Sequence, residues 1–186
     1  MIRSFAELER SLKTRKLSAR IAVVCAHEEH TLEAVFQALK QGFVLPILIG
    51  DAPKIAELLQ KHQLAGENVE IIAETDESKA AEKAVQLVND GAAQLIMKGL
   101  IQTKNLLKAV VNKENGLGLG GVMSHIAVNE VPNYHKLLLT TDGGMVMYPN
   151  LEQKKAIIEN AVQILHKLGY QQPKVGVLAA VEKVNP

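Results

Sequence analysis

Hydroxyl and carboxyl side chains follow an apolar run in the second half of the chain. Residues 137–139 are all leucine, and Thr140, Thr141, Asp142 and Gly143 come after them. Polar groups of this kind bind small substrates, and glycine lets the backbone approach a ligand closely. An Asp-Gly turn explains the same residues, but three consecutive polar side chains favour a binding site.

A second candidate is an anion site that begins at Lys98. Lys98 and Gly99 follow a predicted buried strand, and Thr103 lies in the first turn of the helix predicted next. The amide groups at a helix N-terminus favour anions such as phosphate. A lysine stem packed along a strand end and a threonine beside a helix cap explain the pattern equally well. The spacing leaves both interpretations open.

Ser124 and His125 form the third candidate, and both fall inside a predicted strand. Successive side chains on a strand point to opposite faces, so the two cannot share one cleft without a bulge. A catalytic Ser-His pair is therefore not expected, and a buried, hydrogen-bonded histidine is the plainer interpretation.

Other motifs are poor matches to known sites. Residues 116–121 contain G-x-G-x-x-G, but a dinucleotide-binding loop follows a strand and precedes a helix, the reverse of the order predicted here. His27 and His30 are one residue too close for H-E-x-x-H, so no metal site is expected. Cys25 is the only cysteine, which excludes an internal disulfide and indicates a reducing, cytoplasmic compartment.

Composition indicates a globular chain with a sizeable core. Of the 186 residues, 47% are hydrophobic and 22% charged, and the net charge is +1. Nucleic-acid binding is not expected, because the charge is balanced and aromatic residues make up only 3%. No apolar run approaches the roughly 18 residues of a membrane span, and the N-terminus lacks a signal-peptide pattern.

The elements that must position these residues alternate along the chain. Short apolar runs predict strands, and apolar residues at helical spacing predict helices between them. The predicted strands are 20–26, 46–50, 69–73, 93–97, 121–128, 136–141 and 174–181. The predicted helices are 4–12, 29–41, 53–61, 78–90, 102–111 and 151–168, with caps at Ser4, Asp51, Ser78 and Asn150. The pattern favours a three-layer α/β/α sandwich with a mainly parallel sheet and an inserted antiparallel hairpin at 121–128 and 136–141.

The last predicted strand lies five residues from the end of the sequence, with no crossover helix after it. We therefore expect the polypeptide to lack part of a larger fold. An open sheet edge and the wide apolar face of the helix at 151–168 also favour a homo-oligomer, most simply a dimer.

Several of these segments, taken in order, resemble the phosphate acetyl/butyryltransferase family. The resemblance runs from about residue 20 to the end and is strongest toward the butyryl-transferring members. The segments that carry it are 98–99, 123–128, 130–134, 138–142 and 175–186. Members of this family interconvert acyl-CoA and phosphate with acyl phosphate and CoA. The resemblance implies a fold like that of isocitrate and isopropylmalate dehydrogenases, with two α/β domains and the active site between them.

The resemblance also implies roles for the candidate residues. Asp142 and Lys98 are the expected catalytic residues, and Asp142 either orients a donor or accepts the thiol proton. The expected substrate-binding residues are Gly99, Thr103, Ser124, His125, Thr141, Gly143 and Asn185. The whole chain, 1–186, is expected to be one acyltransferase-like domain, with a glycine-rich loop, hairpin and site loop at 112–150 inside it.

This sequence departs from the family pattern at two places. The loop at 118–121 lacks the expected basic residue, and family chains continue past Asn185 and Pro186 into a Ser-Arg segment credited with acyl-phosphate binding. Weak or no activity of this chain alone is therefore expected.

The resemblance implies CoA and phosphate as substrates, no bound cofactor and no metal. A non-catalytic module that binds CoA or phosphate, or only self-associates, is the alternative. An NAD-linked dehydrogenase is not expected, because the sequence lacks the carboxylate cluster that would bind its metal.

Overall fold

The computed structural model describes residues 1–64 and 69–179. These residues divide into two compact units. The parallel-sheet unit comprises Arg10–Leu119, and the hairpin unit comprises Met1–Glu9 with Gly120–Pro186. The strands are β1 (Ala19–Val24), β2 (Val44–Gly50), β3 (Glu70–Ala73), β4 (Leu95–Lys98), β5 (Ala127–Asn129) and β6 (Leu138–Thr140). The helices are α1 (Phe5–Arg15), α2 (Glu29–Lys40), α3 (Ala52–Lys61), α4 (Glu77–Asn89), α5 (Thr103–Val110) and α6 (Leu151–Lys167).

The parallel-sheet unit has four strands in the order β3-β2-β1-β4. Every neighbouring pair is parallel, with Val24 opposite both Ile49 of β2 and Lys98 of β4. The central strands are almost continuously apolar because both of their faces are covered by helices. The prediction of a mainly parallel α/β fold is confirmed.

Side-chain alternation along β1 divides the core of this unit into two layers. Ala22 and Val24 pack in a cluster with Ala80, Ala81 and other residues of α4 and α5. Val23 packs on the opposite face, in a cluster with residues of α2 and α3. Residues two apart on a strand share a face, so helices cover both sides and the unit has the predicted three layers.

Side-chain caps begin most of the helices. Asp51 accepts a hydrogen bond from the Lys54 amide at the start of α3, as predicted. Asn150 and Gln153 form a reciprocal capping box at the start of α6. The prediction that Ser78 caps α4 is wrong, because Asp76 occupies that position and accepts from the Lys79 amide at 2.9 Å. Among the described residues, no helix is long and apolar enough to cross a bilayer.

The hairpin differs from the prediction in length and in place. β5 and β6 are antiparallel, as expected, but each has three residues and they form a separate two-stranded sheet. The prediction of a hairpin inserted in the parallel sheet is therefore wrong. The predicted strand at 121–128 is also too long. Before β5, side chains form hydrogen bonds with the backbone groups of Val122 and His125, which a strand would pair with a neighbouring strand.

The strand predicted at 174–181 is wrong for the part that the structure describes. Residues 174–179 have no strand pairing there and are exposed. Leu178 is 95% exposed and Val177 is 70% exposed. An apolar run forms a buried strand only where neighbouring strands pair with it, and the described residues supply none.

Candidate functional site

The order of strands in the parallel sheet reverses its direction between β1 and β4. β1 connects through α2 to β2 on one side, whereas β4 pairs with β1 on the other side. The helices that follow, α2 and α5, pack on opposite faces. Ligands of open α/β sheets bind outside the strand ends at such a switch point. The residues there are Cys25 and Ala26 after β1, and Gly99 and Leu100 after β4.

Gly99 is enclosed by the backbone at this point. Its amide donates to the Val24 carbonyl at 2.8 Å, and the Leu100 amide donates to the Cys25 carbonyl at 3.0 Å. A Cβ at Gly99 would lie 2.5 Å from the Cys25 carbonyl oxygen and 2.6 Å from that of Val24. Only glycine therefore fits where the two loops approach each other.

The start of α5 has no side-chain cap. Its N-cap, Gln102, makes no side-chain hydrogen bond to the helix, and Thr103, the first helical residue, is exposed. The amide groups of an uncapped first turn carry partial positive charge. Lys98 lies at the end of β4, where its Nζ donates to the Gly99 carbonyl at 3.3 Å. Lys98, Gly99 and Thr103 thus lie at one end of this unit.

Cys25 lies at the same switch point, but its thiol is a poor nucleophile. The side chain is buried. Burial raises the pKa of the thiol, and the Glu77 carboxylate raises it further. A protonated thiol does not attack a carbonyl, because the thiolate is the reactive form.

Asp142 organises the site loop of the hairpin unit. Its Oδ1 accepts from the His125 amide at 2.9 Å and from the Met145 amide at 3.4 Å, and its Oδ2 accepts from the Val146 amide at 2.7 Å. Burial opposes ionisation of this carboxyl, but the three amide donors outweigh it and hold the pKa of Asp142 below its ordinary value. The side chain is an ionised anchor for two segments of backbone.

The other predicted residues of this unit lie around the same anchor. The Thr141 hydroxyl donates to the His125 carbonyl at 2.7 Å. A Cβ at Gly143 would lie 2.8 Å from the His125 Nδ1 atom, so glycine leaves room for that ring. Ser124 and His125 lie in a loop before β5, which corrects the prediction that they lie within a strand.

Sequence reasoning missed Asn160, a residue of α6. Its Nδ2 atom donates to the Val122 carbonyl at 2.9 Å and to the Ser124 hydroxyl at 3.0 Å. The available signal was an asparagine beside the apolar residues Ile157, Ile158 and Ala161 of a predicted amphipathic helix.

The structure therefore gathers the predicted residues in two groups. Lys98, Gly99 and Thr103 lie together in the parallel-sheet unit. The hairpin unit holds the other group, which consists of Ser124, His125, Thr141, Asp142 and Gly143. Asn185, the remaining predicted residue, lies outside the described residues.

One group of side chains in the parallel-sheet unit has the composition of a metal site. Ligand atoms of Glu29, Glu33 and His62 lie within 4.8 Å of one another. Glu29 is already paired, because Lys61 Nζ lies 2.9 Å from its Oε2 atom and His62 Nε2 lies 3.0 Å from its Oε1 atom. The ion pair with Lys61 accounts for Glu29, and neither histidine of the 27–30 motif belongs to this group.

Comparison with known proteins identifies relatives along the whole chain. Phosphate butyryltransferase of Clostridium acetobutylicum is 41% identical over 186 residues, which are 100% of this chain and 62% of the relative. Phosphate butyryltransferase of Clostridium beijerinckii is 38% identical over 185 residues, covering 100% of this chain and 61% of the relative. The chain thus spans less than two thirds of the length of these curated relatives.

A solved structure has a similar fold. The crystal structure of a branched-chain phosphotransacylase from Enterococcus faecalis V583 aligns with a TM-score of 0.75 and 32% identity. The alignment covers 90% of this chain and 58% of the other. A sequence model of the family described as "Phosphate acetyl/butaryl transferase" matches residues 55–186. With this match over most of its length, the chain belongs to the phosphate acetyl/butyryl transferase family.

Proposed function

We propose that this chain forms part of a phosphate acyltransferase that interconverts butyryl-CoA, or another short acyl-CoA, and phosphate with acyl phosphate and CoA. The names of the two clostridial relatives support butyryl as the acyl group. The observation that carries the proposal is the uncapped start of α5 beside Lys98 and Gly99 at the sheet's switch point. This arrangement suits an anionic substrate.

The proposed reaction needs stabilisation of negative charge. A phosphate oxygen attacks the thioester carbonyl carbon, and the carbonyl electrons move onto oxygen to form a tetrahedral oxyanion. Its collapse restores the carbonyl, breaks the carbon–sulfur bond and releases the CoA thiolate, which then takes a proton. In the parallel-sheet unit, the proposed donors to phosphate are Lys98, the Thr103 hydroxyl and the amides of the first turn of α5, because the Gly99 and Leu100 amides already donate to backbone carbonyls. In the hairpin unit, the amide near Gly143 is a proposed donor to the oxyanion.

The role of Asp142 in this proposal is to orient donors. A carboxylate with a lowered pKa and three amide partners is a weak base at neutral pH. We therefore favour orientation of the His125 and Met145–Val146 backbone over acceptance of the thiol proton. Ser124, His125 and Thr141 would then line the substrate on the hairpin unit.

CoA and phosphate act here as substrates, and no bound cofactor is part of the proposal. The single free cysteine supports a reducing, cytoplasmic compartment.

Exposed apolar side chains at Val175, Val177 and Leu178 support a homo-oligomer. The proposed whole-enzyme architecture, two α/β domains like those of isocitrate dehydrogenase, follows from the family resemblance.

Replacing Lys98 by methionine tests the anion site. We expect Lys98→Met to lower kcat/KM for phosphate about 10²-fold in phosphate-dependent release of CoA from butyryl-CoA, because a positioned charge is lost. Lys108→Met is the matched control, since Lys108 is an exposed lysine further along α5. Equal activity of the two variants would remove Lys98 from the site.

Binding is measured beside turnover, because the chain spans only part of its relatives' length. Calorimetric titration with CoA and with phosphate gives both affinities for the wild-type protein. Binding with no turnover would favour the alternative, a non-catalytic CoA- or phosphate-binding module.

A further inference from the structure

Asn160 is a polar residue on the buried side of α6. Ile157 and Ala161, which lie on the same side of the helix, are buried, and Asn160 itself is half-buried. An amide in such surroundings destabilises the fold unless its polar atoms are hydrogen-bonded. The hydrogen-bond partners of Asn160 therefore indicate its structural role.

Both amide hydrogens of Asn160 are directed to one loop. The Nδ2 atom lies 2.9 Å from the Val122 carbonyl oxygen and 3.0 Å from the Ser124 Oγ atom. A carbonyl oxygen can only accept, so the atom that faces Val122 must be the nitrogen, and this fixes the orientation of the amide. The second hydrogen then points to Ser124, whose oxygen accepts it.

This contact restricts the hydrogen bonding of Ser124. A hydroxyl that accepts through a lone pair keeps its one hydrogen for donation. In the described parts of the chain, Asn160 is the hydrogen-bond partner of the Ser124 hydroxyl, and no acceptor takes its hydrogen. We propose that Asn160 is a positioning residue that presents Ser124 as a hydrogen-bond donor to a phosphate or acyl-phosphate oxygen, an inference that rests on the proposed function.

The loop has other anchors, so the Asn160 contact can be altered separately. The His125 amide is bound by Asp142, and the His125 carbonyl is bound by the Thr141 hydroxyl. These bonds hold the backbone directly after Ser124 when the Asn160 side chain is removed. A change in phosphate affinity can then be distinguished from general loss of the loop.

A double-mutant cycle on the 186-residue protein tests the inference, with inorganic phosphate as the probe. Removing a hydrogen bond to a charged ligand lowers affinity about 10-fold. We expect Ser124→Ala and Asn160→Ala each to weaken phosphate binding by about this factor, and the double variant to be no weaker than either. Ser124→Thr, which retains the hydroxyl, should recover most of the affinity that Ser124→Ala loses. Gln163→Ala, an exposed change on the same helix, is the control and should have no effect.

Hydrogen exchange of the Asn160 side-chain amide, followed by NMR, supplies a test that does not depend on phosphate. Both hydrogens should exchange slowly in the wild type, and one should lose protection in Ser124→Ala. Fast exchange of both in the wild type would overturn the inference. Additive losses in the double variant would also overturn it, as would an Asn160→Ala protein with lower Tm and unchanged phosphate affinity. If the wild type binds no phosphate, the proposed function fails, and the exchange measurement alone decides whether Asn160 directs Ser124.

Discussion

Asp142→Asn should lower kcat/KM of the acyl transfer by about 10²-fold or more, the scale of losing a positioned charged group in an active site. The amide can keep one acceptor oxygen for His125 and Met145, but its NH₂ group would face the Val146 amide, which now donates to Oδ2 at 2.7 Å. Two donors cannot bond to each other, so the 142–146 loop should open. Steady-state kinetics of CoA release measures the change.

Asp90→Asn is the matched control, because Asp90 is an exposed residue at the end of α4. Its kinetics should match the wild type. An Asp142→Asn protein with unchanged kcat/KM would show that the carboxylate is only a turn residue.

Acid unfolding gives an independent check on the Asp142 anchor. Because its pKa is lowered in the folded state, the carboxylate contributes stability that is fully present above the unfolded value of about 3.9. That contribution is lost as pH falls through the lower folded-state pKa. The difference in Tm between wild type and Asp142→Asn should therefore shrink below about pH 4. A constant difference down to pH 2 would contradict the anchor.

Gly99→Ala should destabilise the parallel-sheet unit by about 3 kcal/mol and abolish phosphate binding, because the added methyl group has no space. It would lie 2.5 Å from the Cys25 carbonyl oxygen and 2.6 Å from that of Val24, and both contacts are with backbone. The strand end and the start of α5 must then move apart. Urea unfolding of wild type and variant measures the free energy.

Gly118→Ala is the control for this substitution. A Cβ at Gly118 meets nothing within 4 Å, and the residue is exposed. Its free energy of unfolding should stay within about 0.5 kcal/mol of the wild type. Equal effects at the two glycines would contradict the close approach at Gly99.

Local sequence patterns predicted the parallel-sheet unit well. Continuous apolar runs indicated strands buried on both faces, and Asp51 caps α3 as expected. The order β3-β2-β1-β4 depends on which strands meet in space, so the switch point at Cys25 and Gly99 was not predictable from spacing.

The hairpin unit was predicted less well because distant side chains determine its loops. Asp142 binds the His125 amide 17 positions away, and Asn160 binds Ser124 across 36 positions. Local hydrophobicity carries no sign of such contacts, so residues 121–126 were predicted as strand. The apolar run at 174–179 was mispredicted for a related reason, because strand formation requires neighbours that hydropathy does not specify.

Identification of the product tests the proposed phosphate acyltransferase activity most directly. The protein is incubated with butyryl-CoA and inorganic phosphate, and ³¹P NMR follows the phosphorus while a thiol reagent follows released CoA. The account predicts that whatever turnover the chain supports, which is expected to be weak, gives butyryl phosphate and CoA in equal amounts, with neither formed when phosphate is omitted. Release of CoA with butyrate but no acyl phosphate would contradict it.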